Sequence, residues 1–218
     1  DLDKYPKTIE DDLKKLSNFQ IDSVFLPIDS EIYPKGFNIQ VQENILSHIL
    51  EGESRPDFFT GVITVVAKLF NIIEPTHAFF GEKDAQQLCI IKRLITDLDY
   101  PIKIISCPII REENGLAMSS RNEYLNDKER IIAATIQQAL QEGKNLIISG
   151  ERNSQIIRDK INHIISSEQL LRIDYISVAD HKTLKEISDK IEKDVLVSLA
   201  VYLGATRLID NFSYSVSS

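Results

Sequence analysis

Two short polar strings carry the groups best suited to chemistry. The first is Gly81-Glu82-Lys83-Asp84, set where an apolar run ends and a helical pattern begins. A helix N-terminus offers unpaired N–H groups to an anion. Lys83 would add a point charge for a phosphate, and Asp84 could accept hydrogen bonds from ribose hydroxyls. The same residues also read as a plain helix start, with Asp84 as its cap and Lys83 in water. Gln86 and Gln87 follow in the first turn, where one of them should face the same crevice. The second string is Met118-Ser119-Ser120-Arg121-Asn122. Two hydroxyls and a guanidinium fork in succession can wrap a polyphosphate. The alternative is a serine-rich surface turn whose Arg121 pairs with Glu112 or Glu113. Closing on one nucleotide from two sides, the strings would suit in-line attack on an α-phosphate.

Other chemistries find less support. The eight glycines allow neither a G-x-G-x-x-G nor a G-x-x-x-x-G-K-[ST] loop. The four histidines, His48, His77, His163 and His181, are scattered, no Cys/His grouping has zinc spacing, and no G-x-S-x-G elbow occurs. Asp11 and Asp12 could approach a magnesium ion or simply form a solvated helix face, so metal ligands stay unassigned. With 33 acidic against 25 basic side chains the net charge is -8, which repels nucleic-acid backbones and anionic membranes, and no basic stripe offsets it. The most apolar stretch, residues 62–73, is broken by Lys68 and Asn71 and is too short to span a bilayer. Cys89 and Cys107 lack a Cys-x-x-Cys spacing, which fits a reduced, cytoplasmic protein.

The positioning elements follow from periodicity. At 218 residues, 43% hydrophobic and 27% charged, the chain can bury a core in one large domain or two modest ones. Residues 8–16 predict a helix with Glu10, Asp11 and Asp12 in its first turn. Residues 23–27 read as a short buried strand ending at a proline. Then come a buried helix over residues 61–73, a strand over 77–81, a helix over about 84–98 and a strand over 102–107. That alternation predicts a parallel α/β sheet. After Pro108 the pattern changes. Asn126 and Glu129 predict a capping box opening a helix that runs to about Ile148, and Ser154 is expected to cap a second helix ending near Ser166. Three strands over 173–179, 195–203 and 206–212, joined without long crossovers, predict antiparallel pairing. A boundary near 108–112 separates an α/β part, residues 1–109, from an α+β part, residues 110–218. Three clear strands in the first part, where doubly wound sheets have five or six, and a sole methionine at Met118 lead to the expectation that an upstream portion of the α/β part precedes Asp1.

Three strings in this order, Gly52-Glu53-Ser54-Arg55-Pro56, Gly81-Glu82-Lys83-Asp84-Ala85-Gln86-Gln87 and Gly115-Leu116-Ala117-Met118-Ser119-Ser120-Arg121-Asn122, make the sequence resemble the pantothenate synthetases. These ATP-dependent ligases join pantoate to β-alanine. The likeness runs from Asp1-Leu2-Asp3-Lys4-Tyr5-Pro6 to Leu208-Ile209-Asp210-Asn211. It implies a Rossmann-like nucleotidyltransferase domain, incomplete at its N-terminus here, and a smaller α+β lid. It also implies that Gly81, Glu82, Lys83 and Asp84 bind ATP together with Met118, Ser119, Ser120 and Arg121, that Ile110 contacts the adenine region and that Gln87 holds pantoate. Lys83, Ser119, Ser120 and Arg121 would stabilise charge on the reacting phosphate. The resemblance further implies magnesium with ATP and a cytoplasmic homodimer. The family's His-x-Gly-His signature and a glutamine contacting both substrates correspond to sequence upstream of Asp1, and the chain by itself is therefore expected to be inactive. Where the family usually reads Ser-Arg-Pro-Gly-His-Phe, this chain has Ser54-Arg55-Pro56-Asp57-Phe58-Phe59, and Ala85 replaces a usual aromatic. Two other readings stay open: an adenylyltransferase with another acceptor, and a nucleotide-binding piece without turnover.

Overall fold

The computed structural model describes residues 9–216, in two compact units that divide between Ile39 and Gln40. Thr8 and the opening string of residues 1–6 lie outside the described residues. In the first unit, α1 (Ile9–Leu16) has three carboxylates in its first turn and lysines in its last, each favourable to the helix dipole, and buries none of its residues. The strand expected over 23–27 is absent: these residues pair with no other strand among the described residues, and 23–26 stay exposed while Pro27 is half-buried. A short apolar run becomes a strand only where another strand completes its hydrogen bonds. A single turn, α2 (Asp29–Ile32), follows, with the Glu31 carboxylate accepting from the Ile28 N–H at 2.9 Å.

In the second unit a 3-10 turn (Leu46–His48) precedes the turn α3 (Glu51–Ser54) and the long helix α4 (Phe58–Ile73). Phe59, Ile63, Ala67 and Phe70 recur at helical spacing and form the buried face of α4, whereas Ile72 and Ile73 are exposed. The helix expected to be apolar on most faces thus buries one. β1 (His77–Gly81), α5 (Ala85–Asp97) and β2 (Lys103–Cys107) follow, and β1 pairs with β2 in parallel, Gly81 opposite Cys107. Ala78, Phe80 and Ile104 pack against the core made by α4 and α5. The α/β arrangement is present, carried by two described parallel strands rather than three.

The remainder forms a separate antiparallel layer. Asn126 and Glu129 make the expected capping box at the start of α6 (Asp127–Ala133). α7 (Thr135–Ile148) follows after the single residue Ala134, whose N–H is shared between the Arg130 and Ile131 carbonyls at 3.3 Å each. α8 (Ser154–Ser166) is capped by Asn153, not Ser154: the Asn153 Oδ1 accepts from the Gln155 and Ile156 N–H groups. Ser154 is buried and its hydroxyl accepts from Arg158. β3 (Leu171–Asp180), β4 (Val195–Leu203) and β5 (Thr206–Tyr214) pair antiparallel in that order, which leaves β5 at an edge.

β4 is covered on both faces. Val195, Val197, Leu199, Val201 and Leu203 face a core completed by Ile136, Leu140 and Ile147 of α7 and Ile157, Ile161 and Ile165 of α8. Leu196 faces the α4–α5 core instead. Each such isoleucine contributes roughly 1.5–3 kcal/mol by leaving water. The antiparallel sheet therefore stands between the two cores and contributes to both.

Candidate active site

Gly81 and Cys107 end the two parallel strands side by side, and both strings singled out above leave from this edge. After β1, residues 82–84 form a single 3-10 turn before α5. After β2 the chain makes a small hairpin. Its Arg111–Ala117 bridge and its hydrogen bonds from Met118 N–H to Ile110 C=O (2.9 Å) and from Glu112 N–H to Leu116 C=O (2.8 Å) close around Gly115. Gly115 sits at φ +91°, a region other residues seldom adopt, and a Cβ there would also press on Gln137 at 3.2 Å. The hairpin delivers Ser119, whose Oγ accepts from the Arg121 N–H at 3.2 Å and caps the short turn that follows.

These pieces converge. Lys83 from the first turn, Ser119, Arg121 and Asn122 from the hairpin segment, and Arg207 and Asp210 from β5 line one cleft. The Lys83 side chain is largely covered and lies 3.9 Å from Asp84, too long for a tight pair. Asp84 is half exposed and makes no capping hydrogen bond with its side chain, so it is not the simple helix cap that the sequence allowed. Glu112 accepts from Arg130 (3.1 and 3.2 Å) and Asn122 (2.7 Å). Ile110 and Met118, joined through their backbones, expose 63% and 55% of their surfaces. They offer an apolar platform of the kind a flat ring can rest on. Gln86 does not face the cleft: its side chain donates to the Leu46 and Ile49 carbonyls and accepts from the Glu51 N–H. Gln87 is half-buried, and it does not line the cleft; nor do Gly81, Glu82 and Ser120.

Charges of both signs are gathered around the cleft. Arg207 is fixed by two carboxylates, Glu51 through a bidentate pair and Asp174 at 2.7 and 2.9 Å. Burial alone would lower the Arg207 pKa, but the hydrogen bonds and charge of Glu51 and Asp174 raise it above the usual range. The Tyr175 hydroxyl donates to Glu51 at 2.9 Å, and burial, reinforced by that carboxylate, pushes its pKa up. Glu51 reaches Arg207 because Gln86 holds the preceding turn, where Leu50 stands at φ +49°. Gly52 permits the close packing there, since a Cβ would fall 1.9 Å from the Ser47 carbonyl oxygen. Arg55 lies 3.8 Å above the Phe58 ring. Burial lowers the Arg55 pKa, as does the positive charge of Arg121, while the Glu51 carboxylate raises it and Arg207 lowers it by less.

Sequence reasoning picked out Lys83, Ser119 and Arg121 but missed Arg207, Asp210 and Asn122 as lining groups. The signal was available: charged Arg207 and Asp210 interrupt the apolar run 206–212, which in a paired strand means a buried charge with a partner. Among the described residues no group of three or more His, Cys, Asp or Glu is arranged to hold a metal ion. No helix among them is long and apolar enough to cross a membrane.

The family model of pantoate-β-alanine ligase matches residues 1–213. A pantothenate synthetase of Clostridium botulinum strain 657 is 48% identical over 216 residues, covering 99% of this chain and 76% of its own length. One of Ruminiclostridium cellulolyticum is 47% identical over 214 residues, covering 98% of this chain and 76% of its own length. The crystal structure of pantothenate synthetase from Thermus thermophilus superimposes with a TM-score of 0.91 at 36% identity, over 96% of this chain and 75% of that one. The pantoate-β-alanine ligase of Francisella tularensis, crystallised with β,γ-ATP and β-alanine, superimposes with a TM-score of 0.73 at 33% identity, over 97% of this chain and 72% of that one. With the two chemically marked strings meeting at one cleft and the match running through nearly the whole sequence, the chain belongs to the pantoate-β-alanine ligase family.

Proposed function

We propose that this protein condenses pantoate with β-alanine to give pantothenate at the expense of ATP, through a pantoyl adenylate. The observation that carries this reading is the convergence of Lys83, Ser119 and Arg121 on one cleft beyond the carboxyl ends of β1 and β2, the place where open α/β sheets bind ligands. Family membership and the relative crystallised with an ATP analogue and β-alanine support the choice of substrates.

A free carboxylate is a poor acyl donor, so the reaction runs in two steps. A pantoate carboxylate oxygen attacks the α-phosphorus of ATP and pyrophosphate leaves. The β-alanine amine then attacks the acyl carbon, the acyl–oxygen bond breaks and AMP departs with that oxygen. Lys83, Ser119, Ser120 and Arg121 stabilise charge on the phosphate oxygens, while Gly81, Glu82 and Asp84 hold the nucleotide at the turn and Asp84 accepts from the ribose. Ile110 and Met118 support the adenine, and Gln87 holds pantoate. Losing one preorganised donor of this kind lowers turnover by on the order of 10²–10³, the loss we assign to Lys83→Ala and to Arg121→Ala in the complete enzyme.

Magnesium would arrive with the triphosphate, the phosphates and retained waters commonly supplying most of its ligands; the described residues present no donor set for it, and no step is routed through it. In this reading residues 1–109 belong to the nucleotide-binding domain and 110–218 to the lid, and the protein works as a cytoplasmic homodimer. The test is isotopic. Pantoate labelled with ¹⁸O in its carboxylate is incubated with the complete enzyme, ATP, magnesium and β-alanine. The expected products are pantothenate, pyrophosphate and AMP carrying one labelled oxygen. ADP with phosphate, or unlabelled AMP, would refute the adenylate route, and labelled AMP-acyl product without amide would favour another acceptor.

A further inference from the structure

The edge strand β5 sends neighbouring side chains to opposite faces of its sheet. Leu208, Phe212 and Tyr214 face the α7–α8 core, which assigns Asp210 to that face and Asn211 to the other. On the first face the Asp210 carboxylate, 3% exposed, accepts a bidentate pair from Arg111 at 2.6 and 3.1 Å. The same Arg111 Nη1 donates to the Gly115 carbonyl at 3.1 Å. Arg111 thus ties the base of the hairpin that delivers Ser119 and Arg121. On the second face the Asn211 Nδ2 donates to the carbonyls of Glu82 at 3.0 Å and Lys83 at 2.8 Å, holding the turn that carries the Lys83 ammonium. The Asn211 N–H donates to the Asp210 Oδ1 at 2.8 Å, which couples the two ties.

We propose that Asp210 and Asn211 are positioning residues that fix the two walls of the cleft against each other, Asn211 through the Lys83 turn and Asp210 through the Arg111 hairpin. Neither needs to touch the reacting atoms. The consequence for nucleotide affinity rests on the triphosphate reading above; the mechanical tie does not. An asparagine suits the Lys83 side of the device because both amide hydrogens point at carbonyl oxygens, a task no carboxylate can perform. An aspartate suits the hairpin side because two oxygens match a guanidinium fork.

The test uses Asn211→Asp, close in shape but lacking the donors, and Asp210→Asn, which keeps the size but loses the charge. Hydrogen exchange is followed along the chain, and ATP is titrated into parent and variants. Asn211→Asp is expected to speed exchange at residues 83–88 at least fivefold, and Asp210→Asn to do the same at 111–119, with α8 unchanged in both. ATP affinity should fall at least tenfold in each. Unchanged exchange in the tied segment, or acceleration spread evenly over the chain, would overturn the proposal. Local loosening in the variants, with no ATP binding by the parent, would uphold the tie and remove the triphosphate reading instead.

Discussion

The two sheets of residues 40–216 are built from similarly apolar strands and end up in unlike surroundings. β4 has helices against one face and the α4–α5 core against the other, and all but one of its nine residues are buried. The parallel pair β1–β2 covers one face only, leaving Phe79 68% exposed. Parallel strands usually need both faces covered, so this pair is the less self-sufficient of the two. Yet it is at the end of this weaker pair that Lys83 sits. The difference shows how a chemically useful turn gains a fixed place: it borrows rigidity from the better-buried sheet through β5, by way of Asn211.

That contrast can be broken most directly by truncation. Ile161→Ala, in the fully buried α7–α8 core, is expected to cost about 2–5 kcal/mol, whereas Phe79→Ala should stay within about 0.5 kcal/mol. Denaturant midpoints measure both, and equal losses would erase the distinction between the sheets. Backbone strain sharpens it. Leu50, Asp57, Glu74 and Asp99 hold positive φ on the parallel side, against Leu184 alone among the described non-glycine residues of the antiparallel side. Asp57 stands at φ +65° where the resembling family usually has glycine. Asp57→Gly should raise stability by no more than about 1 kcal/mol, relief of strain being partly offset by a freer unfolded chain; a lower melting temperature would refute this.

The smallest expected effect lies at the end of β3. Burial tends to raise the Asp180 pKa, but hydrogen bonds from the Thr183 N–H and hydroxyl, both 2.8 Å, and from the Lys182 N–H lower it below the usual value of 3.8. A folded-state pKa below the unfolded one means this stabilisation is complete above pH 4 or so and fades as pH falls through the depressed value. Asp180→Asn should therefore cost under about 0.5 kcal/mol at neutral pH and flatten the acid limb of the stability curve. An unchanged acid limb would show that the turn contributes nothing.

Legibility followed the range of the interactions. The capping box of Asn126 and Glu129 and the three closely spaced strands of the antiparallel sheet are local signals, and they were readable. The helix start at 153–154 was placed correctly but its cap was not, because adjacent Asn and Ser are equally good caps and only the Arg158 hydrogen bond to Ser154 separates them. The expected strand over 23–27 failed because a strand needs a partner that its own residues cannot specify. Lys83 and the Ser119–Arg121 segment were recognisable by residue type. Arg207 and Asp210 were not, since their defining contacts to Glu51 and Arg111 span 156 and 99 residues of chain.

The convergence of Lys83 and Arg121 on one triphosphate is tested most directly by calorimetric titration of ATP and of AMP into the parent chain, Lys83→Ala and Arg121→Ala. Each substitution should weaken ATP binding at least tenfold and AMP binding much less, because AMP lacks the outer phosphates. If either variant bound ATP as tightly as the parent, its side chain would not hold the triphosphate and the two-walled cleft would lose its chemical meaning.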